Sequence, residues 1–263
     1  MKNNTSCSSL PAGSLNRAAM ILTAIAQGPR SGISLTALVS KTALPRPTIH
    51  RVLDNLITIG WVVRDEKIPR FNLGLDLMAL GYTAIARNPI EQIASTTLST
   101  LATRLNQTVY MNIRSSLDMV CIGRYESQSE IQIGKGYVSM RGPFGMSPGC
   151  SGMFSSMPEY EVQEIVAANM SRYHRIDGFD ERGFHKSLAE SMERGYGVYG
   201  NILLDRTTSG LGVGICNPSG YPVAGIGTTF ITGWLNDEQL QASISKLKQA
   251  AHEISERLFS LDN

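Results

Sequence analysis

The sequence predicts an α+β fold in which a small basic unit precedes a larger acidic unit. The first observation behind this prediction is charge. The 263 residues carry a net charge of only +2, yet residues 13–73 hold +5, residues 74–263 hold −4, and Lys2 supplies the remainder. The second is periodicity: helical apolar spacing fills the basic part, whereas the acidic part mixes helical stretches with strand-like runs. We expect residues 1–13, which are polar and small, to form a disordered arm.

The basic unit, residues 14–73, has the pattern of a winged helix-turn-helix. Apolar residues recur at helical spacing in three stretches, and two strand-like runs follow, which predicts helices over 15–26, 35–41 and 45–59 and strands over 61–64 and 70–73. Ser34 is the expected cap of the second helix. Pro45 and Pro47 fall in the first turn of the third helix, where backbone N–H groups have no intrahelical acceptor. Three helices followed by a hairpin make this motif.

The third helix is expected to expose a polar face opposite its apolar stripe. Such a helix fits the major groove of DNA, and its N-terminal residues reach base edges. Two arginines on a solvated helix are weak evidence alone, but the hairpin and the +5 charge agree with them. We therefore predict a double-stranded DNA operator as a partner. The predicted DNA-binding residues are Ser34, Arg46, Pro47, Thr48, His50, Arg51 and Asn55 on the helices, with Arg64, Lys67 and Arg70 on the hairpin.

A linker helix is predicted over residues 74–88, and a second domain over residues 89–263. Strands flanked by helices at both ends of this domain favour an α+β sensor. We expect helices near 93–105, 159–169, 184–194 and 237–259, and strands near 108–114, 119–125, 130–134, 196–204, 210–216 and 223–230.

Several classes of protein are disfavoured by what the sequence contains. The 30 residues 207–236 lack charge, but their glycines and prolines interrupt any apolar run long enough to span a membrane. The N-terminus has no apolar signal core, and the cysteines form no C-x-x-C pair, so we expect a cytoplasmic protein without membrane contact. The scattered histidines and cysteines give no metal-ligand spacing. Gly210-x-Gly212-x-Gly214 is not a G-x-G-x-x-G dinucleotide fingerprint, because Ile215 stands where the third glycine is needed. No cofactor and no metal are predicted.

Six segments resemble the IclR family of transcriptional regulators. In the first part of the chain they are Ser14-Leu15-Asn16-Arg17-Ala18 through Leu22, Leu35-Thr36-Ala37-Leu38, Leu44-Pro45-Arg46-Pro47-Thr48-Ile49-His50-Arg51-Val52-Leu53 and Phe71-Asn72-Leu73-Gly74. In the second part they are the helix start Pro158-Glu159 and Glu193-Arg194-Gly195-Tyr196. The resemblance spans residues 14–259. It implies a winged-helix DNA-binding domain, a linker helix that contributes to dimerisation, and a GAF-like domain that binds a small-molecule effector. It also implies a homodimer or homotetramer that acts on a palindromic operator as a repressor or an activator.

The resemblance also implies an effector pocket in the second domain. Residue by residue, together with Met146 as an apolar wall, it carries over Gly149, Cys150, Ser151, Tyr199, Asn201, Thr208, Gly210, Gly227 and Thr229. The sequence departs from the family at Gly145, where a histidine is usual, and at Cys150-Ser151, where a Gly-Lys pair is usual. It also lacks the acidic run that usually follows Gly-Tyr, since residues 197–201 contain no acidic side chain. Few polar groups in an apolar cavity favour a small organic acid, with aromatic acids among the candidates.

A second interpretation is a metabolite-binding or thiol-hydrolase domain joined to a basic domain that docks protein. Cys150 at a helix start would then be the nucleophile, and His174 or His185 the base. The sequence places neither histidine near Cys150, and it contains no G-x-S-x-G motif. We therefore predict that the chain is not an enzyme and has no catalytic residue.

Overall fold

A computed structural model describes residues 13–65, 67–128, 133–134, 136–200, 202 and 207–260. The chain divides into two compact units after Asn88. Each unit has its own buried apolar core.

The first unit is a winged helix-turn-helix followed by one more helix, as the sequence predicts. Its elements are α1 (Ser14–Ala26), β1 (Ile33–Ser34), α2 (Leu35–Thr42), α3 (Arg46–Thr58), β2 (Val62–Arg64), β3 (Arg70–Leu73) and α4 (Leu75–Arg87). The three strands form an antiparallel sheet in the order β1-β3-β2. The sequence did not predict β1, because a two-residue strand gives no alternating pattern.

Local interactions define both ends of α2, and its C-terminal end leads into the turn before α3. Ser34 caps α2, since its hydroxyl oxygen accepts a hydrogen bond from the Ala37 backbone N–H at 3.3 Å. Ala43 ends the helix in the left-handed conformation, with φ of 54°. Apolar residues of all three helices then share one core, which includes Ile21, Leu38, Ile49, Leu53 and Phe71.

Helix α4 is anchored at its start and exposed along its length. The Gly74 backbone N–H donates to the Trp61 carbonyl at 2.8 Å, which fixes the chain as it leaves β3. Every residue of α4 is at least partly exposed. The linker helix that the sequence predicts is therefore present, with a surface that the described residues leave uncovered.

The second unit is a six-stranded antiparallel sheet with helices on both faces. Its helices are α5 (Ile90–Leu105), α6 (Pro148–Phe154), α7 (Glu159–Tyr173), α8 (Glu181–Arg194) and α9 (Asp237–Phe259). Its strands are β4 (Val109–Ser115), β5 (Asp118–Tyr125), β6 (Arg141–Pro143), β7 (Gly197–Tyr199), β8 (Thr208–Cys216) and β9 (Pro222–Ile231). The strand order is β6-β5-β4-β9-β8-β7.

The two faces of this sheet carry separate apolar cores. Helices α5 and α9 pack on one face, around residues such as Leu98, Ile226 and Leu247. Helices α6, α7 and α8 cover the other face, which we call the inner face, with Phe144 and Phe154 among the buried residues. The predicted α+β architecture of this domain is confirmed.

Some predicted elements differ in extent from those in the structure. Strand β7 covers only Gly197–Tyr199 of the predicted 196–204, and residues 201 and 203–206 lie outside the described part. Of the strand expected over 130–134, the structure describes only Ile133 and Gly134, which are not in a strand. Within the described ranges, no helix is both long enough and apolar enough to cross a membrane.

Candidate functional site

The exposed face of α3 carries the polar side chains that the sequence predicts there. Arg46, Pro47, His50, Arg51 and Asn55 are exposed, and Thr48 is half-buried. The opposite face carries the buried stripe of Ile49, Val52, Leu53 and Leu56. These side chains do not belong to the core, so they can contact DNA if the helix lies in the major groove.

The basic side chains of the hairpin formed by β2 and β3 fall into two groups: some are exposed, and one makes hydrogen bonds within the domain. Arg64 and Lys67 are exposed. The Asp65 carboxylate accepts from the Lys67 and Ile68 backbone N–H groups, at 2.8 and 3.1 Å, so this acid folds the turn. Arg70 is half-buried and donates to the Ser31 hydroxyl at 3.1 Å and to the Gly32 carbonyl at 3.0 Å, which braces the hairpin against the turn before β1.

Helix α6 lies directly on the inner face because glycines remove the side chains between them. A Cβ built on Gly212 of β8 would lie 1.9 Å from the Pro148 carbonyl oxygen. A Cβ built on Gly152 of α6 would lie 2.4 Å from the Val213 backbone nitrogen. Real Cβ atoms do not approach so closely, so both positions require glycine.

The described residues that the resemblance assigns to an effector pocket lie on this inner face or in α6 and the turn before it. Tyr199, Gly210 and Thr229 are neighbours across β7, β8 and β9, and Thr208 precedes Gly210 by two residues on β8. Gly227 lies opposite Tyr110 on the adjacent strand β4. Gly149, Cys150 and Ser151 are buried in α6, and Met146 is half-buried before it. Asn201 lies outside the described residues.

Cys150 is a buried thiol whose environment disfavours the thiolate. Burial is the main cause that raises the pKa of Cys150 to about 11, whereas hydrogen bonds to Ser147 and Gly145 oppose the shift. A nucleophilic cysteine needs the opposite shift. His174 and His185 are half exposed and both face Glu181, with N···O distances of 3.2 and 3.9 Å. The Cys150 thiol is therefore buried and uncharged at neutral pH.

Three polar groups of the inner face were missed at the sequence level. Tyr110 Oη, Asn112 Nδ2 and Arg124 Nε are buried, with no hydrogen-bond partner among the described residues. The signal in the sequence is the alternation along β4, where polar residues 110, 112 and 114 interrupt the apolar residues 109, 111 and 113. That alternation predicts two chemically different faces, and it could have pointed to a polar site opposite the α5–α9 core.

Comparison with known families decides what the two units are. The family model described as the IclR helix-turn-helix domain matches residues 14–66. The model described as the bacterial transcriptional regulator IclR C-terminal matches residues 82–256, about two thirds of the chain. The chain belongs to the IclR family of transcriptional regulators. It is therefore a DNA-binding regulator of the IclR type, as the resemblance implied.

Individual regulators match along nearly the whole chain at low identity. The transcriptional regulator KipR of Bacillus subtilis is 22% identical over 230 residues, which are 87% of this chain and 91% of KipR. An IclR regulator from Alicyclobacillus acidocaldarius has a similar structure, with a TM-score of 0.73, 21% identity, and coverage of 92% of this chain and 97% of that chain. An IclR homologue from Microbacterium hydrocarbonoxydans, solved with 4-hydroxybenzoate, has a TM-score of 0.72 and 17% identity, and covers 94% of this chain and 100% of its own. These structures share the fold with this chain.

Proposed function

We propose that this IclR regulator binds a palindromic operator in the cytoplasm as a homodimer or homotetramer and senses a small organic acid. The observation that supports DNA reading most directly is the exposed face of α3. Its cationic side chains Arg46 and Arg51 stand over a buried stripe, so substitution there changes recognition without changing the core. The basic charge of residues 13–73 supplies long-range attraction to phosphate.

Self-association is supported by the apolar side chains of α4. Leu75, Met78, Tyr82 and Ile85 are between 54% and 76% exposed. Their spacing of three, four and three residues is the a and d pattern of a heptad, which places them along one seam of the helix. An exposed apolar seam of this kind is typical of a helix that pairs with another helix. We propose a second copy of the chain as that partner.

Effector sensing is supported by the chemistry of the inner face. Buried thiols, methionine and aromatic rings supply apolar walls, while hydroxyls and buried donors that have no partner among the described residues supply a few polar groups. The 4-hydroxybenzoate bound to the Microbacterium homologue makes hydroxylated aromatic acids sensible first probes. Binding of the acid would then favour one arrangement of the paired DNA-binding units, which changes operator affinity by a population shift.

The experiment that tests DNA reading compares two arginine substitutions. Operator fragments are first selected from genomic DNA with the wild-type protein. Arg51→Ala should weaken binding by about 1–3 kcal/mol, and it should lower the salt slope by about one if the residue contacts phosphate. Arg175→Ala, which removes an exposed arginine from the larger unit, is the matched control and should bind like wild type.

Gel shifts at several salt concentrations and thermal unfolding together decide the outcome. Both variants should unfold at the wild-type temperature, because neither side chain is buried. Equal operator affinity of Arg51→Ala and wild type would contradict the proposed role of α3.

A further inference from the structure

Two tyrosine hydroxyls of the larger unit differ in whether they have a hydrogen-bond partner among the described residues. The Tyr125 hydroxyl donates to Glu91 Oε1 at 3.0 Å, on the α5–α9 face of the sheet. The Tyr110 hydroxyl is buried on the inner face without a hydrogen-bond partner among the described residues, and the side-chain nitrogen Nδ2 of Asn112 is in the same state. Tyr110 and Asn112 are only 8% and 2% exposed. Proteins leave few buried donors unsatisfied, so each such group points to something that completes it.

The pairing of strands places these donors beside an arginine. Tyr110 of β4 lies directly opposite Arg124 of β5, and Arg124 Nε is the third buried donor without a partner among the described atoms. Asn112 follows Tyr110 by two residues, so it shares the same face of the sheet. A β-bulge between Met111 and Asn112 shifts the register, which brings Cys121 opposite Asn112. We call Tyr110, Asn112 and Arg124 the donor triad.

The guanidinium of Arg124 has one nitrogen in an ion pair and another nitrogen, Nε, buried. Its Nη1 nitrogen pairs with the Glu126 carboxylate, whose side chain is 54% exposed, whereas Nε is buried. A guanidinium edge and a carboxylate match in geometry and form charge-assisted hydrogen bonds. Asn112 Nδ2 and Arg124 Nε can only donate, and the Tyr110 hydroxyl can donate as well as accept, so one kind of group, an acceptor, satisfies all three atoms. The positive charge of the guanidinium favours an anion.

The walls around the triad are apolar. The Cys121 and Cys150 thiols are buried, and burial raises the pKa of each, so both remain uncharged at neutral pH. Asn112 Nδ2 lies under α6, where a Cβ built on Gly149 would be 2.7 Å from it. Phe144 and Met146 belong to the same apolar cluster as Cys150. A carbon skeleton bound at the triad would therefore contact sulfur and aromatic carbon.

We infer that the donor triad holds the oxygen atoms of a small hydroxy- or oxo-carboxylate effector, an assignment that rests on the proposed acid-sensing function. The carboxylate lies between Arg124 and Tyr110, and a second oxygen of the same molecule accepts from Asn112. Along β4 the Cα atoms of Tyr110 and Asn112 are separated by about 6.6 Å, which is more than the oxygens of one carboxylate span, so we assign Asn112 an acceptor of its own. The triad thus selects an acid that carries a further oxygen acceptor.

The binding test uses the full chain and calorimetric titration. The probes are 4-hydroxybenzoate, mandelate and 2-oxobutyrate, each compared with its amide, which keeps the shape and loses the charge. At least one acid should bind wild type, and its amide should bind about 10- to 100-fold more weakly. Arg124→Lys, which keeps the charge and removes the guanidinium edge, should weaken acid binding to a similar extent, as should Tyr110→Phe. Tyr125→Phe is the matched control and should bind the acid like wild type.

A second measurement needs no effector. Because Tyr110→Phe removes an unsatisfied donor without making a cavity, the melting temperature of the ligand-free protein should stay the same or rise by about 1–3 °C. Tyr125→Phe removes a satisfied hydroxyl and should lower it. If the Tyr110 hydroxyl only stabilised the fold, Tyr110→Phe would lower the melting temperature as Tyr125→Phe does.

The outcomes separate this inference from the proposed function. An acid that binds wild type, Arg124→Lys and Tyr110→Phe equally would overturn the triad and leave acid sensing intact. Amides that bind as well as acids would overturn the carboxylate assignment. If all three acids failed to bind wild type, both the triad and the acid-sensing proposal would fall. A lower melting temperature for Tyr110→Phe, equal to that of Tyr125→Phe, would also count against the triad.

Discussion

The two units differ in how their candidate sites are built. On α3 the residues proposed to read DNA lie within ten consecutive positions, 46–55, and nearly all of them are exposed. On the inner face, Asn112, Cys150 and Gly225 come from β4, α6 and β9, yet they are buried together. The first site depends on helical periodicity alone. The second depends on strand register and on the close approach of a helix to a sheet.

This difference teaches where substitutions should be tolerated. An exposed side chain of α3 can change without disturbing Ile49 or Leu53 beneath it, so affinity for DNA and stability are separable there. On the inner face the same residues that shape the site also hold the fold. Ligand preference and stability should therefore be coupled in the larger unit.

The largest expected effect comes from filling the contact between α6 and the sheet. Gly212→Ala would place a methyl group 1.9 Å from the Pro148 carbonyl oxygen, and both backbones are fixed by the sheet and the helix. We expect a loss of about 3 kcal/mol in the free energy of unfolding of the larger unit, measured by urea denaturation.

Gly142→Ala is the matched control for that substitution. Gly142 lies in β6, and a Cβ built there would meet no atom within 4 Å among the described residues. Its stability should equal that of wild type within the error of the measurement. If Gly212→Ala were as stable as Gly142→Ala, the coupling of site and fold in the larger unit would be wrong.

A smaller effect is expected from the apolar seam of α4, which tests whether the first unit also contains a site that depends on packing. Tyr82→Glu places a charge on the seam, and if two copies pair there the dissociation constant should rise at least about tenfold, or roughly 1.4 kcal/mol. Leu80 is 54% exposed but lies off the seam, so Leu80→Glu should associate like wild type. Sedimentation of both variants gives the comparison, and equal association would reject the seam.

The sequence predicted the elements that rest on local patterns. The closing helix, expected over 237–259, is Asp237–Phe259 in the structure, because its amphipathic period is a local signal. The structure adds that Asn236 caps this helix. Strand β6 was missed, since Arg141-Gly142-Pro143 contains two residues that disfavour strands and only pairing with β5 makes it one.

The candidate sites were predictable to different degrees for the same reason. Arg46 and Arg51 followed from the helical period of α3. Tyr110 and Arg124 are 14 positions apart, and only the register of β4 against β5 makes them neighbours. The bulge between Met111 and Asn112 determines which β5 residue lies opposite Asn112, and the sequence pattern does not predict a bulge at this position.

The smallest expected effect concerns an ion pair at the edge of the inner face, where coupling to the fold should be weak. Glu161 of α7 accepts hydrogen bonds from Arg114 of β4 and, at 2.9 Å, from the Tyr221 hydroxyl. Burial alone would raise the pKa of Glu161, but these donors outweigh it and hold the pKa below its usual value. The Glu161 carboxylate therefore stabilises the folded state fully at pH values above its pKa in the unfolded chain. This contribution is lost as the pH falls through its pKa in the folded protein.

Glu161→Gln should therefore lower stability at pH 7 by about 0.5 kcal/mol, the size typical of a partly exposed ion pair. The difference from wild type should shrink as the pH is lowered from 7 towards 3, because the wild-type carboxylate takes up a proton as the pH falls through its folded-state pKa. Glu164→Gln changes an exposed carboxylate of the same helix and should match wild type at both pH values. Urea denaturation of the three proteins at pH 7 and pH 3 measures the effect. A difference that stayed constant with pH would mean that Glu161 acts through packing and not through its charge, which would extend the coupling of site and fold to the edge of the sheet.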